Sequence, residues 1–335
     1  FWAILYQLVR DGITVFVTTA YLDEAERCNR VGLMSRGRLI RCDSPDGLKR
    51  QIAGSCYEVE AADRRAARAV LQRGELEVLG RIRSASNATF LCEATAGEHR
   101  VHCVYKPVAG EQPLWDFPDG TLAGRELGAH LISAELGWNL VPYTIIRDGP
   151  AGPGMVQRWI DQPEDDENDD AAAPAPGLVD VVPGDHVPAR YLPVLQAYGH
   201  NGDPVTLVHA DDVRLRRLAV FDVVINNADR KGGHILCGTD GRVYGVDHGV
   251  SLHTQDKLRT VLWGWAGQPV ADLDPEALPA LSRLLIALDG PLAAALQPHL
   301  TADEIVALHR RVADLLEHPV MPGPNRHRPI PWPAF

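Results

Sequence analysis

The fold of this chain is decided by the stretch Asn226-Asn227-Ala228-Asp229-Arg230-Lys231-Gly232-Gly233-His234, which is followed by Val246-Asp247-His248-Gly249. Asp229 falls in a polar loop after an apolar, helix-like run, and Asp247 comes directly after a short strand-like run. Two carboxylates placed in this way can share the work of phosphoryl transfer, because one can orient a hydroxyl group while the other holds divalent ions that bridge phosphates. The two stretches therefore predict a phosphoryl-transfer site.

The composition indicates a globular chain with room for two or three domains. Of its 335 residues, 45% are hydrophobic and 23% are charged, so the chain can bury a sizeable core. The formal net charge of -11 is concentrated in residues 161–170, which contain seven acids and no base. Nucleic-acid binding depends on clustered Lys and Arg that neutralise phosphates, and the charge balance gives no sign of such a surface. We expect no nucleic-acid partner.

The six cysteines indicate a reducing compartment, because they show no CxxC pair or other ligand spacing and a chain of this size needs no disulfides. No apolar run approaches the roughly 18 to 20 residues that span a bilayer, and the first residues lack the features of a secretory signal. We therefore expect a soluble, cytoplasmic protein without a transmembrane segment. The chain starts with Phe1 rather than Met, which indicates that upstream sequence is missing or was processed.

Residues 1–56 have a pattern of their own. Residues 14–17 (Thr-Val-Phe-Val) predict a buried strand, and residues 31–34 and 38–40 predict a hairpin. Together with the intervening Thr-Thr-Ala-Tyr-Leu-Asp-Glu, these runs resemble the C-terminal part of an ABC-transporter ATPase domain. That family has a histidine where this chain has Ala20, and no GxxxxGK[ST] phosphate loop occurs in the sequence. We therefore predict an inert segment, fused or left over from such a domain.

The next part of the chain predicts a small, sheet-rich lobe. Residues 57–73 have near-helical spacing and are interpreted as a connecting helix. Residues 74–160 then contain alternating runs typical of strands, with a helix predicted over residues 122–136 that ends before Gly137. We expect these strands to form a small mixed sheet.

The remainder predicts a flexible insertion and a second, helical lobe. Residues 161–177 combine the local acids with Ala, Pro and Gly, and such a segment buries too little apolar surface to offset its ordering entropy. Residues 178–335 become mainly helical, with a helix over residues 212–226. Thr301 and Glu304 have the spacing of a capping box that opens the last helix.

A small sheet-rich lobe followed by a larger helical lobe that carries the acidic pair is the order of a bilobal kinase. Residues 74–270 resemble the phosphatidylinositol 3/4-kinase-like family, with the nearest likeness to type II phosphatidylinositol 4-kinases and actinobacterial phosphatidylinositol-kinase-like proteins, and a more distant one to HipA-type serine kinases. The resemblance implies an α+β, protein-kinase-like fold that binds ATP and Mg²⁺, with Mn²⁺ as an alternative. It also implies phosphoryl transfer to an unidentified hydroxyl group on a lipid, a protein or a small molecule.

The resemblance assigns roles to three residues around the metal. Asp229 matches the catalytic aspartate of the family's Asp-Arg-x-x-x-Asn loop, and Asp247 matches the metal-binding aspartate of its Asp-x-Gly motif. His234 stands where the family has asparagine. Because imidazole is a softer ligand than an amide oxygen, His234 implies an altered metal preference, a single-metal mechanism, or a nucleotide-binding pseudokinase.

Four further residues match the phosphate side of the family's site. Lys106, on a strand that ends at Pro107, matches the lysine that contacts the ATP phosphates, and Glu126 in the following helix is the candidate to hold it. Arg230 and Lys231 are predicted to steady the transferred phosphate or the substrate. The alternative for this pair is a solvated basic surface.

Two more pairs are candidates for nucleotide contacts. Ser86 and Asn87 lie between the first two predicted strands, where the family has its phosphate-covering loop, although this loop has no glycine. Met155 and Gln157 fall where a hinge between the lobes would pair with adenine through its backbone. An ordinary hairpin turn and ordinary core residues are the alternatives.

The segment after Asp247 leaves the acceptor open. It contains His253, two basic residues and two tryptophans, which could meet a lipid headgroup in a peripheral membrane contact or could pack internally. The members of this set are His253, Lys257, Arg259, Trp263 and Trp265. Two rival functions also stay open: a pseudokinase that binds ATP without transfer, and a transporter ATP-binding subunit with a regulatory tail.

Overall fold

The computed structural model describes residues 13–16, 28–35, 38–44, 64–82, 87–117, 120–163, 177–184, 186–199, 201–325 and 328–335. Contacts divide the chain into two compact units, Phe1–Glu60 and Ala61–Phe335. Within the described ranges, no helix combines the length and the apolar character that crossing a bilayer requires.

The first unit contains the predicted hairpin. Strands β1 (Val31–Ser35) and β2 (Arg38–Asp43) pair antiparallel, which confirms that prediction, although the turn residues 36 and 37 lie outside the described residues. The strand predicted over residues 14–17 is wrong for its described part. Residues 13–16 form no strand, and Phe16 is 91% exposed, so they are not a buried sheet element. The other predictions for this segment fall outside the described residues.

A five-stranded sheet opens the second unit. Its strand order is β3-β4-β5-β7-β6, and every neighbouring pair runs antiparallel, so the expectation of a mixed sheet is wrong. The antiparallel pairs β3-β4, β4-β5 and β6-β7 fit the short connections between those strands, because a parallel pair needs a long crossover. The strands are β3 (Glu75–Arg81), β4 (Phe90–Ala96), β5 (His99–Pro107), β6 (Thr144–Gly149) and β7 (Gly152–Arg158).

Helix α1 (Arg64–Arg73) covers this sheet. Ala67, Val70 and Leu71 recur at helical spacing, and all three are buried in one cluster with Cys103 and Val156 of the sheet. The segment interpreted as a connection therefore contributes the apolar face that closes the sheet's core. Residues 57–63 of that segment lie outside the described residues.

Helix α2 (Leu122–Glu135) connects the sheet to the rest of the unit. Thr121 caps its start by accepting a hydrogen bond from the Gly124 amide at 2.9 Å, and Gly137 follows its end with a φ of 72°. The helix predicted from sequence is confirmed here. Its position matters because Glu126 lies in its second turn.

The second lobe begins with strands rather than helices. A three-stranded antiparallel sheet of order β8-β10-β9 precedes the helices, so the expectation of a mainly helical segment directly after the insertion is wrong. Residues 164–176 of the predicted flexible insertion lie outside the described residues. The strands are β8 (Val179–Pro183), β9 (Tyr191–Tyr198) and β10 (Pro204–Ala210).

Five helices then enclose the main apolar core, with the small hairpin β11 (Ile235–Cys237) and β12 (Val243–Gly245) inserted after the first of them. The predicted capping box of Thr301 and Glu304 is present at the start of the last helix. The predicted α+β fold class, with a sheet-first lobe followed by a helix-rich lobe, is confirmed. The helices are α3 (Val213–Ile225), α4 (Val270–Leu273), α5 (Ala277–Leu288), α6 (Pro291–Leu296) and α7 (Ala302–Glu317).

Candidate active site

The loop that carries Asp229 is fixed at the end of helix α3. Asn226 caps the helix in the left-handed conformation, with a φ of 53°, which asparagine tolerates better than most residues. The Asn227 side chain donates to Asp222 at 3.0 Å and accepts from the Asp229 amide at 3.0 Å. These bonds fix the backbone of Asp229 relative to helix α3.

The Asp229 carboxylate has the environment of a base. Its side chain is 31% exposed, and the Lys231 ammonium lies 3.4 Å from its Oδ2. Burial raises the pKa of Asp229 to about 6, against the lowering effect of Lys231, and the negative charge of Asp247 adds to the increase. A carboxyl group whose pKa is this close to neutrality can accept a proton and release it again near pH 7.

Asp247 follows strand β12 on a constrained backbone. Its φ is 60°, a conformation that costs a non-glycine residue about 1–3 kcal/mol and is seen mainly at functional sites. The left-handed residue of the Asp-x-Gly motif is Asp247 and not Gly249. Gly249 instead permits close packing, because a Cβ there would lie 3.2 Å from the Leu122 Cβ.

Lys106 forms an ion pair with carboxylates from both lobes. Its Nζ lies 2.7 Å from Glu126 Oε1 and 2.7 Å from Asp247 Oδ1, so the strand lysine, the helix glutamate and the loop aspartate meet. Burial alone would lower the pKa of Lys106, but the carboxylates of Asp247 and Glu126 outweigh it and raise that pKa. Lys106 also holds the pKa of Asp247 well below its usual range. Both groups are therefore charged at neutral pH.

His234 presents a ring nitrogen to Asp247. Its Nδ1 lies 2.9 Å from the carbonyl oxygen of Asp229, and because a carbonyl only accepts, Nδ1 carries the hydrogen. Burial lowers the pKa of His234, although Asp247 opposes this, so the neutral ring keeps its lone pair on Nε2. That nitrogen lies 3.3 Å from Asp247 Oδ2, so the two groups can share either a proton or a divalent cation.

The donor set of Asp247 and His234 fits a divalent ion that takes its other ligands from phosphates and water. Such ions are commonly held by one or two protein groups together with the phosphates of the nucleotide. An imidazole ligand favours manganese or a later transition metal over magnesium. Within the ranges that the structure describes, no group of three or more His, Cys, Asp or Glu side chains forms a complete metal cage.

Arg230 does not reach the cleft, and the prediction that it contacts a phosphate is wrong. Its side chain is fully buried and pairs with Asp222, at 2.9 Å between Nη2 and Oδ1. Nη1 donates to the carbonyl oxygens of His234 and Val246, both at 3.1 Å, and Nη2 lies 2.7 Å from His248 Nε2. Arg230 therefore binds the Asp229 loop to the Asp247 loop.

A cleft of about 220 Å³ brings five of the eleven predicted site residues together. Lys106, Glu126, Asp229 and Asp247 line it, and so does Asn87. The Asn87 side chain accepts a hydrogen bond from the Gln112 amide at 2.8 Å, which fixes the position of Asn87 beside the cleft. Ser86 lies outside the described residues.

Met155 and Gln157 do not fit the predicted adenine contact. Both lie within β7, whose backbone pairs with β5 on one side and β6 on the other, so no backbone edge is left for a base. The Gln157 amide donates to Thr144 Oγ1 at 2.9 Å inside the lobe. Met155 is fully buried as the cross-strand neighbour of Lys106. Packing, the alternative interpretation, describes both residues.

The tryptophans of the segment after Asp247 pack internally, which is the alternative to the membrane contact. Trp263 and Trp265 are 7% and 1% exposed, and their indole N–H groups donate to the Pro329 carbonyl and to Asp211. These tryptophans therefore do not form a membrane-facing surface. Lys257 instead pairs with Asp116, at 3.0 Å.

Two residues of the site were missed in the sequence. Asp222 is fully buried and bonds to Arg230, Asn227 and the Thr260 hydroxyl, and its signal was a lone charge inside the apolar run 218–225. Glu111 lines the cleft and accepts hydrogen bonds from the first amides of α2 at 2.8 and 2.9 Å, a role that no local pattern indicated.

One known protein matches most of the chain. Protein Rv2133c of Mycobacterium tuberculosis is 67% identical over 267 residues, which make up 80% of this chain and 95% of that protein. No protein-family model matches the chain.

Other relatives match a short N-terminal stretch. The probable multidrug ABC transporter ATP-binding protein YbhF of Escherichia coli is 51% identical over 53 residues, 16% of this chain and 9% of that protein. The daunorubicin resistance ATP-binding protein DrrA2 of Streptomyces coeruleorubidus is 42% identical over 64 residues, 19% of this chain and 20% of that protein. The likeness to transporter ATPases is confirmed for a stretch of this length only.

Two solved kinases show a distant likeness in fold. A Golgi casein kinase with Mn/ADP bound has a TM-score of 0.42 at 13% identity, covering 77% of this chain and 76% of that one. The Helicobacter pylori proinflammatory kinase CtkA has a TM-score of 0.38 at 11% identity, covering 74% and 93%.

Proposed function

We propose that this chain, which belongs to the family of the Mycobacterium tuberculosis protein Rv2133c, transfers the γ-phosphoryl group of ATP to a hydroxyl group of an acceptor. The observation that carries the proposal is the meeting of Lys106, Glu126, Asp229 and Asp247 around one cleft. These residues come from a strand, a helix and two loops that are distant in sequence. Their arrangement supplies a cation for phosphates, a carboxylate for a metal ion and a base for a hydroxyl.

Lys106 anchors the phosphates. It is 20% exposed and is held by Glu126, which is itself 2% exposed, so the ammonium points into the cleft from a fixed position. Its pairing with Asp247 places it beside the residue that would hold the metal ion. A fixed positive charge in a partly desolvated cleft stabilises the charge that develops on the transferred group.

Asp247 and His234 would hold the divalent ion, through Oδ2 and Nε2. When bound, the ion offsets the negative charge of the β- and γ-phosphates. Asp229 accepts the hydrogen bond of the acceptor hydroxyl and takes its proton as the oxygen–phosphorus bond forms, while the bond from the γ-phosphorus to the β,γ-bridging oxygen breaks and ADP leaves. Lys231, at 3.4 Å from Asp229, keeps part of that carboxylate ionised and lies where a phosphate oxygen or an acidic acceptor would pass.

We also propose that the enzyme is of the phosphatidylinositol 3/4-kinase-like type and works in the cytoplasm. The spacing of Asp229 and of Asp247-His248-Gly249 supports the first point, and the scattered cysteines support the second. We further propose that the N-terminal segment is inert, fused to this chain or left over from a transporter ATPase, because Ala20 stands where that family has its histidine. The acceptor is a lipid, a protein or a small molecule with a free hydroxyl.

A pseudokinase is the second candidate, and His234 favours it because the imidazole replaces the oxygen ligand that the family uses. ATP consumption measured with radiolabelled ATP and Mn²⁺ or Mg²⁺ separates the two functions. Asp229→Asn is expected to reduce the rate about a hundredfold, since a positioned base contributes roughly 10²–10⁴. Asp272→Asn, on an exposed position of α4, is the matched control and should leave the rate unchanged.

The outcomes differ for each function. Equal background rates in wild type and Asp229→Asn, with nucleotide binding intact, would support the pseudokinase. If calorimetry finds no nucleotide binding with any divalent ion, neither function is correct.

A further inference from the structure

Helix α2 carries Glu126, but its apolar face belongs to the helical lobe. Its buried residues Ala129 and Ile132, with Leu136 just beyond its end, are part of the core that helices α3 to α7 enclose. The core of the five-stranded sheet is a separate cluster, and its helical contribution comes from α1. The helix that presents Glu126 to the sheet lysine therefore packs on both lobes, because it contacts β6 and β7 of the sheet as well as α5 and α6.

Two glycines let α2 approach that lobe closely. A Cβ at Gly124 would lie 3.2 Å from the carbonyl oxygen of His299, and a Cβ at Gly128 would lie 3.0 Å from Leu252 Cδ1. Both distances are shorter than ordinary van der Waals contacts, so larger residues would push the helix away. These glycines are four residues apart and lie on one face of the helix.

A buried ion pair fixes the same turn of α2. Arg125, which is 1% exposed, places Nη2 2.5 Å from Glu304 Oε1, and Glu304 is 4% exposed. Arg125 Nη1 also donates to the Ser251 carbonyl at 2.8 Å, in the segment just after Asp247. The other oxygen of Glu304 accepts from the Thr301 amide at 2.9 Å, at the start of α7.

We propose that Arg125 and Glu304 are positioning residues that act through Glu126. They hold α2 against α7. The Glu126 carboxylate is therefore already positioned to pair with Lys106, and the helix stays beside the cleft. The inference rests on the proposed function, because it assigns Glu126 the task of holding a phosphate-binding lysine.

Removing one member leaves the other charged and buried without its partner, which is costly and loosens the turn between them. Glu304→Gln is the sharpest change, because it removes the charge and keeps the shape and the capping oxygen. Asp303→Asn is the matched control, since Asp303 is an exposed acid in the same first turn of α7. Two readouts follow: hydrogen exchange of residues 122–135, and calorimetric affinity for the non-hydrolysable ATP analogue AMP-PNP with Mn²⁺.

We expect Glu304→Gln to speed exchange in α2 and to weaken AMP-PNP binding about tenfold, the loss of roughly one hydrogen bond to a charged group. Asp303→Asn should change neither quantity. Unchanged exchange and affinity in Glu304→Gln would overturn the proposal. The proposal would also be overturned if Glu304→Gln lowered the melting temperature and exchange became faster in all helices to the same extent, with no additional loss of protection in α2.

A double-mutant cycle with Glu126→Gln tests whether the pair acts through Glu126. If it does, AMP-PNP affinity in Glu126→Gln/Glu304→Gln equals that in Glu126→Gln alone. Additive losses would mean that Glu304 reaches the nucleotide by another route, and the proposal would be wrong.

A milder variant covers the case in which Glu304→Gln does not fold. Arg125→Lys keeps the charge opposite Glu304 but loses the second donor to Ser251, so a smaller change of the same sign is expected. Unchanged hydrogen exchange in α2 would contradict the proposal that the Arg125–Glu304 ion pair holds this helix. If the wild type does not bind AMP-PNP, the proposed function is wrong. The exchange comparison would still test whether the ion pair holds α2.

Discussion

The two loops of the cleft place their carboxylates in opposite electrostatic surroundings. Asp247 contacts the fixed ammonium of Lys106 at 2.7 Å, and its pKa is held well below the usual range. Burial raises the pKa of Asp229 to about 6, although Lys231, 3.4 Å away, lowers that pKa. Environments that push two carboxyl pKa values apart identify which group stays charged and which one exchanges protons. Asp247 is therefore suited to a metal ion and Asp229 to a proton.

The contrast depends on a shared support. Arg230 donates to the carbonyl oxygens of His234 and Val246, so one buried guanidinium sets the separation of the two loops. The backbone framework is common, and the two carboxylates differ because burial raises the pKa of Asp229 whereas Lys106 lowers the pKa of Asp247. Lys106 is held by Glu126, whereas no second carboxylate in the described part of the chain pairs with Lys231. Asp247, paired with the firmly held Lys106, therefore carries a permanent charge, whereas Asp229, paired with the less firmly held Lys231, can titrate.

The strongest test of the contrast is Asp247→Asn. It removes the metal-binding charge and leaves Lys106 with a single carboxylate, so we expect phosphoryl transfer to fall about a thousandfold, as for the loss of a main electrostatic stabiliser. Affinity for AMP-PNP should become nearly independent of divalent ions. Radiolabelled ATP consumption and calorimetry with and without Mn²⁺ measure these two effects.

Asp272→Asn serves again as the control for a neutralised acid far from the cleft. A variant Asp247→Asn that keeps its metal dependence would show that the ion is held elsewhere. The electrostatic contrast between the two loops would then have no bearing on catalysis.

The second test uses pH. A base must be deprotonated to act, and because the pKa of Asp229 is raised to about 6, the rate should rise as pH increases through about 6 and level off above it. Lys231 lowers this pKa, so Lys231→Met should move the midpoint to higher pH. The rate of ATP consumption between pH 5 and pH 8, at saturating nucleotide, gives the midpoint for each protein.

The residual rate of Asp229→Asn should lack this midpoint. A midpoint that persists in that variant belongs to another group. A midpoint that moves to lower pH in Lys231→Met would contradict the sign of the Lys231 effect.

Sequence patterns predicted the parts of the fold that depend on local rules. Helix α2 follows from apolar spacing and Gly137, and the capping box of Thr301 and Glu304 marks the start of α7. Asp229 and Asp247 were selected by motif spacing, and the structure places them in one cleft. Patterns of this kind work because capping and periodicity are decided within one or two turns of chain.

Long-range pairing decided what the sequence did not show. Arg230 has the same polar character as Lys231, yet it is buried because Asp222, a full helix turn or more earlier in the chain, neutralises it inside the lobe. The sequence around Met155 and Gln157 does not show that the backbone of β7 is paired on both sides, with β5 and β6, and so cannot bind an adenine base. Sheet β8-β10-β9 was missed because short alternating runs carry little information without knowledge of their neighbours.

The smallest expected effect concerns the choice of metal ion at the Asp247 side of the contrast. His234 offers an imidazole nitrogen 3.3 Å from Asp247 Oδ2, and nitrogen ligands favour manganese over magnesium. His234→Asn replaces this nitrogen with a hard amide oxygen, so the ratio of AMP-PNP affinities with Mn²⁺ and Mg²⁺ should shift towards Mg²⁺ by several-fold. His309→Asn, on helix α7 and outside the cleft, is the matched control and should keep the wild-type ratio. An unchanged ratio in His234→Asn would mean that the imidazole only positions the Asp229 loop through its bond to the Asp229 carbonyl, and Asp247 would then hold the ion without it.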